Sequence, residues 1–316
     1  MSVRMTIMIG YVRWRNRGRH HPDAMDRALA TRAHPAPVPE RVARWCEVTE
    51  RAVQGRRVVT LRPRSRADGP PAASVDACQV VHVHGGAFVF AIQDLHWLAL
   101  ATLATRSGAT VHVPLYGLAP AHAAPEALEL LDEVVASVRG SAPGRRVVLS
   151  GDSAGGGLAL AHAVRTRDRG APPVDALLLW SPWLDVAVPD RDDPRLERRE
   201  PMLTVASLRR AGAMWAGANG VRDPRASPIH ADLVGLPPIT TLAGGRDLLV
   251  EDARRLHRAV HAVGGASTLR EWRGGFHVFM AAMRTRESRQ AIAMAADVLR
   301  GERPDGRAAA PSGRGR

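Results

Sequence analysis

Val147-Val148-Leu149-Ser150-Gly151-Asp152-Ser153-Ala154-Gly155-Gly156-Gly157-Leu158 is the stretch on which the reading of this chain turns. A short apolar run of strand-forming residues enters a G-x-S-x-G turn, and an Ala/Leu-rich pattern (Leu158, Leu160, Ala161, Val164) leaves it at helical spacing. Strand, sharp turn and helix in that order lift a serine hydroxyl clear of a sheet, the geometry of a nucleophile elbow. Small residues at 151, 154 and 155 let strand and helix pass close together, since a larger side chain would collide in so tight a turn. The five-residue pattern alone arises by chance in about one chain of this length in ten, so its surroundings have to carry the inference.

Those surroundings alternate. Upstream, residues 45–50 and 56–62 read as two strands joined at Gln54-Gly55 as in a hairpin, and 77–83 as a buried strand running into His84-Gly85-Gly86-Ala87-Phe88. Helical and strand patterns then follow in turn: 95–106, 110–114, 125–139 with Gly140 at its end, the elbow strand 145–150, its helix 154–167, and a strand at 174–179. After a pause the pattern resumes with a strand at 239–242, a helix over 248–263, a strand at 267–271 and a last helix over about 279–299. Repeated strand–helix alternation predicts an α/β fold with a mostly parallel sheet covered on both faces. The pause itself, charged over 190–200, helical around 202–215 and turn-like at Asp223-Pro224 and Ser227-Pro228, reads as an insertion over the sheet's C-terminal edge.

The domain reading is therefore an N-terminal helical or cap segment over 1–43, with a short helix at 23–34, and one catalytic domain over 44–300 with its insertion at about 186–236. Residues 64–73 are read as a polar loop, and 301–316, mostly Arg, Gly, Pro and Ala, as a disordered tail.

Composition narrows the function classes. The 316 residues carry 45% hydrophobic content, enough for one large core. All 44 basic side chains are arginines, and the net charge of +13 is spread along the chain rather than gathered in a stripe, which argues against a nucleic-acid surface. Cys46 and Cys78 are the only cysteines, so no disulfide framework or Cys-based metal site is read; a single bridge between them stays open, with a reducing compartment the simpler assumption. The apolar patch at 5–9 is shorter than a signal peptide requires, and no run approaches the length that spans a bilayer. The arginines at 13, 15, 17 and 19 with Trp14 suit a cap helix or frayed tail better than a lipid contact. A cytoplasmic location follows, with no stable membrane insertion, no cofactor and no metal; a homodimer is left open.

A serine hydroxyl needs a base within hydrogen-bond reach, itself oriented by a third group. Gly244-Gly245-Arg246-Asp247-Leu248 puts an aspartate just after a strand, and Gly274-Gly275-Phe276-His277-Val278-Phe279 puts a histidine in a glycine-flanked loop. The order Ser153, Asp247, His277 differs from that of trypsin-like enzymes, where the serine comes last on an all-β, disulfide-bearing framework. Glu251 and Asp252 are rival acids, but both lie about a helical turn further on. His257 and His261 fall on a predicted helix, and the Asp152 side chain should project away from the histidine's side. Backbone N–H groups of Gly85, Gly86, Ala87 and Ala154 are the expected oxyanion donors. Phe88, Trp97, Trp183, Met202, Trp215 and Phe279 are the candidate pocket walls, chosen for apolar size.

With these residues in hand, the chain resembles the hormone-sensitive-lipase-like carboxylesterases of the α/β-hydrolase fold, from about residue 80 to 283. The resemblance rests on His84-Gly85-Gly86-Ala87, the elbow, Leu118-Ala119-Pro120, Ser181-Pro182-Trp183, Leu236-Pro237-Pro238, and the Asp247 and His277 contexts. It implies a helical cap formed by the N-terminal residues and the insertion, and metal-free hydrolysis of short- to medium-chain esters, with a small-molecule ester as partner. Two departures stand out: Ala87 sits where such proteins often have a third glycine, and Gly117 and Ala121 replace an Arg and a Glu. Other functions compatible with the same triad are an amidase, a deacetylase or a lactonase, and a non-catalytic binding protein on this fold is disfavoured by retention of all three triad residues.

Overall fold

The computed structural model describes residues 1–18, 20–21, 24–30, 34–64, 78–189 and 194–302. Most of the expected 64–73 loop, the start of the charged run at 190–193, and the expected tail beyond residue 302 lie outside them.

In chain order the elements are α1 (Val3–Arg15), α2 (Ala24–Ala30), α3 (Glu40–Ala43), β1 (Cys46–Val53), β2 (Arg56–Pro63), β3 (Cys78–Val83), α4 (Asp94–Ser107), β4 (Thr110–Pro114), α5 (Ala124–Ser141), β5 (Arg146–Asp152) and α6 (Ala154–Asp168). They continue with β6 (Ala176–Trp180), α7 (Pro194–Arg199), α8 (Val205–Ala216), β7 (Ile239–Gly244), α9 (Val250–Ala262), β8 (Ser267–Trp272) and α10 (Arg286–Arg300). Among the described residues, eight strands form one sheet in the order β1-β2-β4-β3-β5-β6-β7-β8. β1 and β2 pair antiparallel around the Gln54-Gly55 turn, β2 meets β4 antiparallel, and every later pairing is parallel.

The central strands β3, β6 and β7 are buried along their whole length, and β5 from Val147 onward, because helices cover both faces. Successive residues of one strand feed opposite cores. Val81, Val83, Val147, Leu149, Leu177 and Leu179 pack with the α5, α6 and α8 side, while Val80, Val148, Leu178 and Trp180 pack with the α4 and α10 side. Met5 and Ile9 of α1 join the second core, and Ser2 fixes the start of α1 to α10, its N–H and hydroxyl donating to the Glu287 carboxylate at 2.6 and 2.7 Å. Cys46 and Cys78 are both buried free thiols, and desolvation pushes them up to about 11 and about 12.

Most element boundaries shift by one to three residues from expectation, and three of the differences are informative. Helix α5 runs through Gly140 to Ser141, because the left-handed turn expected of a terminating glycine falls on Gly144 instead, with φ 77°. The last helix begins at Arg286, not near Phe279: residues Phe279–Ala281 form a single 3-10 turn with Phe279 buried in the core. Thr285 then caps α10 by accepting from the Ser288 N–H at 3.0 Å. Helix α9 starts at Val250, two residues late, because Asp247 Oδ1 accepts the Leu249 N–H at 2.9 Å and holds a separate turn first.

Candidate active site

Ser153 sits between β5 and α6 with φ 54° and ψ −120°, a conformation that a residue with a Cβ adopts only when its surroundings impose it. Here they do. Its N–H donates to Trp180 O at 2.9 Å, and its carbonyl accepts from Gly156 N at 3.0 Å and Trp183 N at 2.9 Å. A Cβ on Gly155 would lie 2.0 Å from Val83 O, and one on Gly157 2.2 Å from Trp183 O. The glycines after the serine therefore let α6 cross β3 and the Ser181-Pro182-Trp183 segment at backbone contact.

The His277 loop and the Asp247 turn follow neighbouring strands, β8 and β7. They are laced together by Gly245 N to Trp272 O and Arg246 N to Gly275 O, both 2.9 Å. A side chain at Gly244 would collide with the Gly275 backbone at 2.5 Å, which explains the glycines flanking both residues. In the closed arrangement His277 Nε2 lies 2.8 Å from Ser153 Oγ, and His277 Nδ1 lies 3.1 and 3.0 Å from the two Asp247 carboxylate oxygens. All three side chains are buried. Burial works against the His277 imidazolium, but the Asp247 carboxylate overrides it and holds the pKa above the ordinary histidine value. Such a chain can move a proton from the hydroxyl to the imidazole and stabilise the charge that results.

Beside it, Gly86, Ala87 and Phe88 turn through φ 124°, 53° and 63°, so Ala87 takes the left-handed conformation in spite of its Cβ. Ala154 is the first residue of α6, where an N–H has no intrahelical acceptor. Gly85, grouped with these donors on sequence grounds, serves differently: its N–H donates to Asp152 Oδ1 at 3.0 Å and so is turned away from the serine. Asp152 does point away from the histidine, and it anchors the loop after β3. Its Oδ1 also meets His82 Nε2 at 3.1 Å, and its Oδ2 faces His96 Nε2 at 3.5 Å. Burial opposes its ionisation, yet His96 and His82 hold its pKa well below the usual carboxylate range. Tyr116 completes the support, stacking on His84 at 4.6 Å and donating to His84 O at 3.0 Å.

Sequence reasoning missed Glu200. This carboxylate, fully buried at the end of the charged run, accepts the His277 N–H at 2.9 Å and the Met202 N–H at 2.7 Å. Burial and then the Asp247 charge push its pKa upward, with His277 and the two N–H donors opposing. The available signal was a glutamate followed directly by Pro201 and an apolar run, but from sequence it is one acid among several charged residues. The rival acids fall elsewhere: Asp252 Oδ2 accepts from Leu184 N and Asp185 N at 2.9 and 3.2 Å, and Glu251 pairs with Arg258 on the surface.

The pocket candidates divide. Phe88 stacks on Trp215 at 4.3 Å and lies 5.6 Å from Trp183, and all three are fully buried in the core on the α5, α6 and α8 side of the sheet, next to the Gly86-Ala87 turn. Trp97 and Phe279 instead pack in the core on the opposite face of the sheet, where Trp97 Nε1 donates to Ala36 O at 2.8 Å and Phe279 meets Trp272. They line no part of the serine's side. Met202 is half-exposed beside Glu200. Among the described residues no group of three or more His, Cys, Asp or Glu is arranged to hold a metal ion, and no helix is long and apolar enough to cross a membrane.

A sheet of this order, with a serine on a strand–helix elbow and its partners on the following strand ends, defines an α/β hydrolase, and a profile for the alpha/beta hydrolase fold matches residues 80–281. An acetyl-hydrolase of Streptomyces hygroscopicus is 36% identical over 212 residues, 66% of this chain and 70% of that one, and an esterase of Acinetobacter venetianus is 32% identical over 188 residues, 58% and 61%. An esterase from the bacterial hormone-sensitive lipase family superposes with TM-score 0.79 at 26% identity over 95% of this chain and 98% of that one; EstE5, in crystals soaked with p-nitrophenyl butyrate, gives 0.79 at 25% over 95% and 98%. The chain belongs to the hormone-sensitive-lipase-like carboxylesterases and is a carboxylic ester hydrolase.

Proposed function

We propose that this enzyme cleaves short- to medium-chain carboxylic esters through an acyl-enzyme on Ser153. The observation that carries the reading is the unbroken chain from Ser153 Oγ to His277 Nε2 at 2.8 Å and from His277 Nδ1 to Asp247 at 3.0 Å. As Oγ attacks the ester carbonyl, its proton passes to Nε2, and Asp247 stabilises the imidazolium. The carbonyl oxygen becomes an oxyanion held by the N–H groups of Gly86, Ala87 and Ala154. Collapse breaks the C–O bond to the alcohol, which takes the proton from Nε2. Water, deprotonated by the same imidazole, then attacks the acyl-enzyme and releases the acid.

The small acyl group is suggested by the acetyl-hydrolase relative and the p-nitrophenyl butyrate used with EstE5. The esterase and acetyl-hydrolase names of the relatives favour an ester over an amide or lactone. Two buried free thiols suit the cytoplasm as the location. In the test, Ser153→Ala abolishes both p-nitrophenyl acetate turnover and labelling by a fluorophosphonate probe; a variant that keeps the native rate overturns the reading.

A further inference from the structure

Helix α1 carries two apolar faces. Met5 and Ile9 point into the core against α10, while Val3, Ile7, Tyr11 and Trp14 are 77%, 66%, 49% and 62% exposed. Positions 3, 7, 11 and 14 share one side of a helix with 3.6 residues per turn, opposite the buried pair. Gly10 lies on that same side, and nothing approaches within 4 Å of where its Cβ would be. A lone exposed apolar side chain needs no explanation, but a contiguous stripe of this kind marks a binding surface.

Its borders carry one sign of charge. Arg4, Arg13, Arg15 and Arg17 are exposed, no acidic residue occurs in residues 1–18, and the Arg17 guanidinium sits 5.4 Å above the Trp14 ring. Arg13 reaches the carbonyl of exposed Arg198 at 2.6 Å, and Arg4 that of exposed Arg284 at 3.4 Å, so α7 and the turn before α10 add arginines to the rim, while the acids beside them are engaged, Glu197 by the Val205 N–H and Glu287 by Ser2. Tyr and Trp beside arginines suit the boundary between acyl chains and headgroups. The stripe is also joined to the catalytic rim. Met1 lies against Gly274 of the His277 loop, and Asn16 Nδ2 donates to the carbonyl of Pro201, the neighbour of Glu200, at 3.4 Å.

We propose that the outer face of α1 is a docking surface for an anionic lipid layer, on which the enzyme lies with its catalytic rim beside the headgroups. The apolar stripe enters the headgroup–acyl boundary and the arginine rim meets lipid phosphates. An apolar stripe alone would equally suit a second copy of the chain; the one-signed rim favours lipid, because two such rims facing each other repel.

The test is cosedimentation of the full chain with vesicles of phosphatidylglycerol and phosphatidylcholine, against phosphatidylcholine alone. Binding to the anionic vesicles only, weakening as salt is raised, is the expected result. Ile7→Glu and Trp14→Glu each reduce partitioning at least about tenfold, and Arg15→Gln reduces it about fivefold. All three keep the native circular dichroism and native turnover of soluble p-nitrophenyl butyrate. Ser153→Ala binds vesicles like the native protein, which separates this surface from the serine mechanism. No binding to anionic vesicles, undiminished binding by the Ile7 and Trp14 variants, or a dimer in sedimentation velocity that Ile7→Glu dissolves would each overturn the proposal.

Discussion

The Glu200 carboxylate meets His277 through the backbone: Oε2 accepts the His277 N–H at 2.9 Å, while the imidazole is engaged by Asp247 and Ser153. Two acids thus hold one residue from two directions, and they belong to different parts of the chain. Asp247 follows β7, whereas Glu200 comes from the segment inserted between β6 and β7. The segment inserted between β6 and β7 thus fixes the loop that carries His277.

Replacing Glu200 by Gln leaves one carbonyl oxygen for two N–H groups and turns the amide nitrogen towards one of them. A buried N–H left without an acceptor loosens the loop, and a fall of about tenfold in kcat with little change in KM is expected. The charge effect has a definite sign. An anionic Glu200 raises the His277 pKa, so its loss lowers that pKa, and the acid limb of the kcat/KM profile moves to lower pH. A pH–rate profile superimposable on the native one would remove Glu200 from the mechanism.

Asp247→Asn tests the other acid. An asparagine fits the same space and its Oδ1 still accepts the Leu249 N–H, so the thermal midpoint should move little. It cannot stabilise the imidazolium or enforce the tautomer with the proton on Nδ1, and kcat should fall by about four orders of magnitude, the size found for the corresponding change in trypsin. Paired denaturation and turnover measurements check both halves.

The strand–helix order, the hairpin and the three side chains that lie together, Ser153, Asp247 and His277, have local signatures in the sequence: alternation of apolar runs, Gln54-Gly55 between two strands, the G-x-S-x-G turn, and glycines around Asp247 and His277. What escaped is non-local. Gly85 looked equivalent to Gly86 until Asp152, 67 residues away, was seen to take its N–H. Phe279 and Trp97 were plausible pocket walls by size alone, and only the face of the sheet on which they land makes them core. Glu200 sits among charged neighbours in sequence, and its role depends on the His277 loop, 77 residues on, presenting an N–H to it.

Asp152→Asn should act at the Gly86-Ala87 turn and on stability together. The carboxylate binds Gly85 N–H, His82 and His96, and removing one member of such a buried charged cluster costs about 3 kcal/mol or more. Because the folded-state pKa of Asp152 is depressed, its contribution is present above the unfolded value of about 3.9 and is lost as pH falls below it. Urea denaturation as a function of pH should therefore show a large native–variant gap at neutrality that narrows on acidification, and kcat should drop as the Gly86-Ala87 turn slackens. A gap independent of pH would mean that Asp152 stabilises the turn by shape rather than by charge.

Two Gly→Ala changes on helices should have opposite signs. Gly140 lies within α5 with nothing inside 4 Å of its would-be Cβ, and alanine there restricts the unfolded chain without a clash, so stability should rise by about 0.5–1 kcal/mol. Gly155 lies in the first turn of α6, where the same methyl would sit 2.0 Å from Val83 O and 2.7 Å from His84 O. Relief requires α6 to move off the end of β3, the strand that leads into the Gly86-Ala87 turn and pairs in register with β5 from Cys78↔Arg146 to Val83↔Gly151. Overpacking of this kind costs about 1–3 kcal/mol where side chains can yield, and more where the obstacle is backbone. Gly155→Ala should therefore lose at least about 3 kcal/mol, and any folded fraction should lose turnover as well, because Ser153 and the Gly86-Ala87 turn would be pushed apart. Native stability and rate in Gly155→Ala would show that the close crossing of α6 over β3 is not what fixes the serine in place.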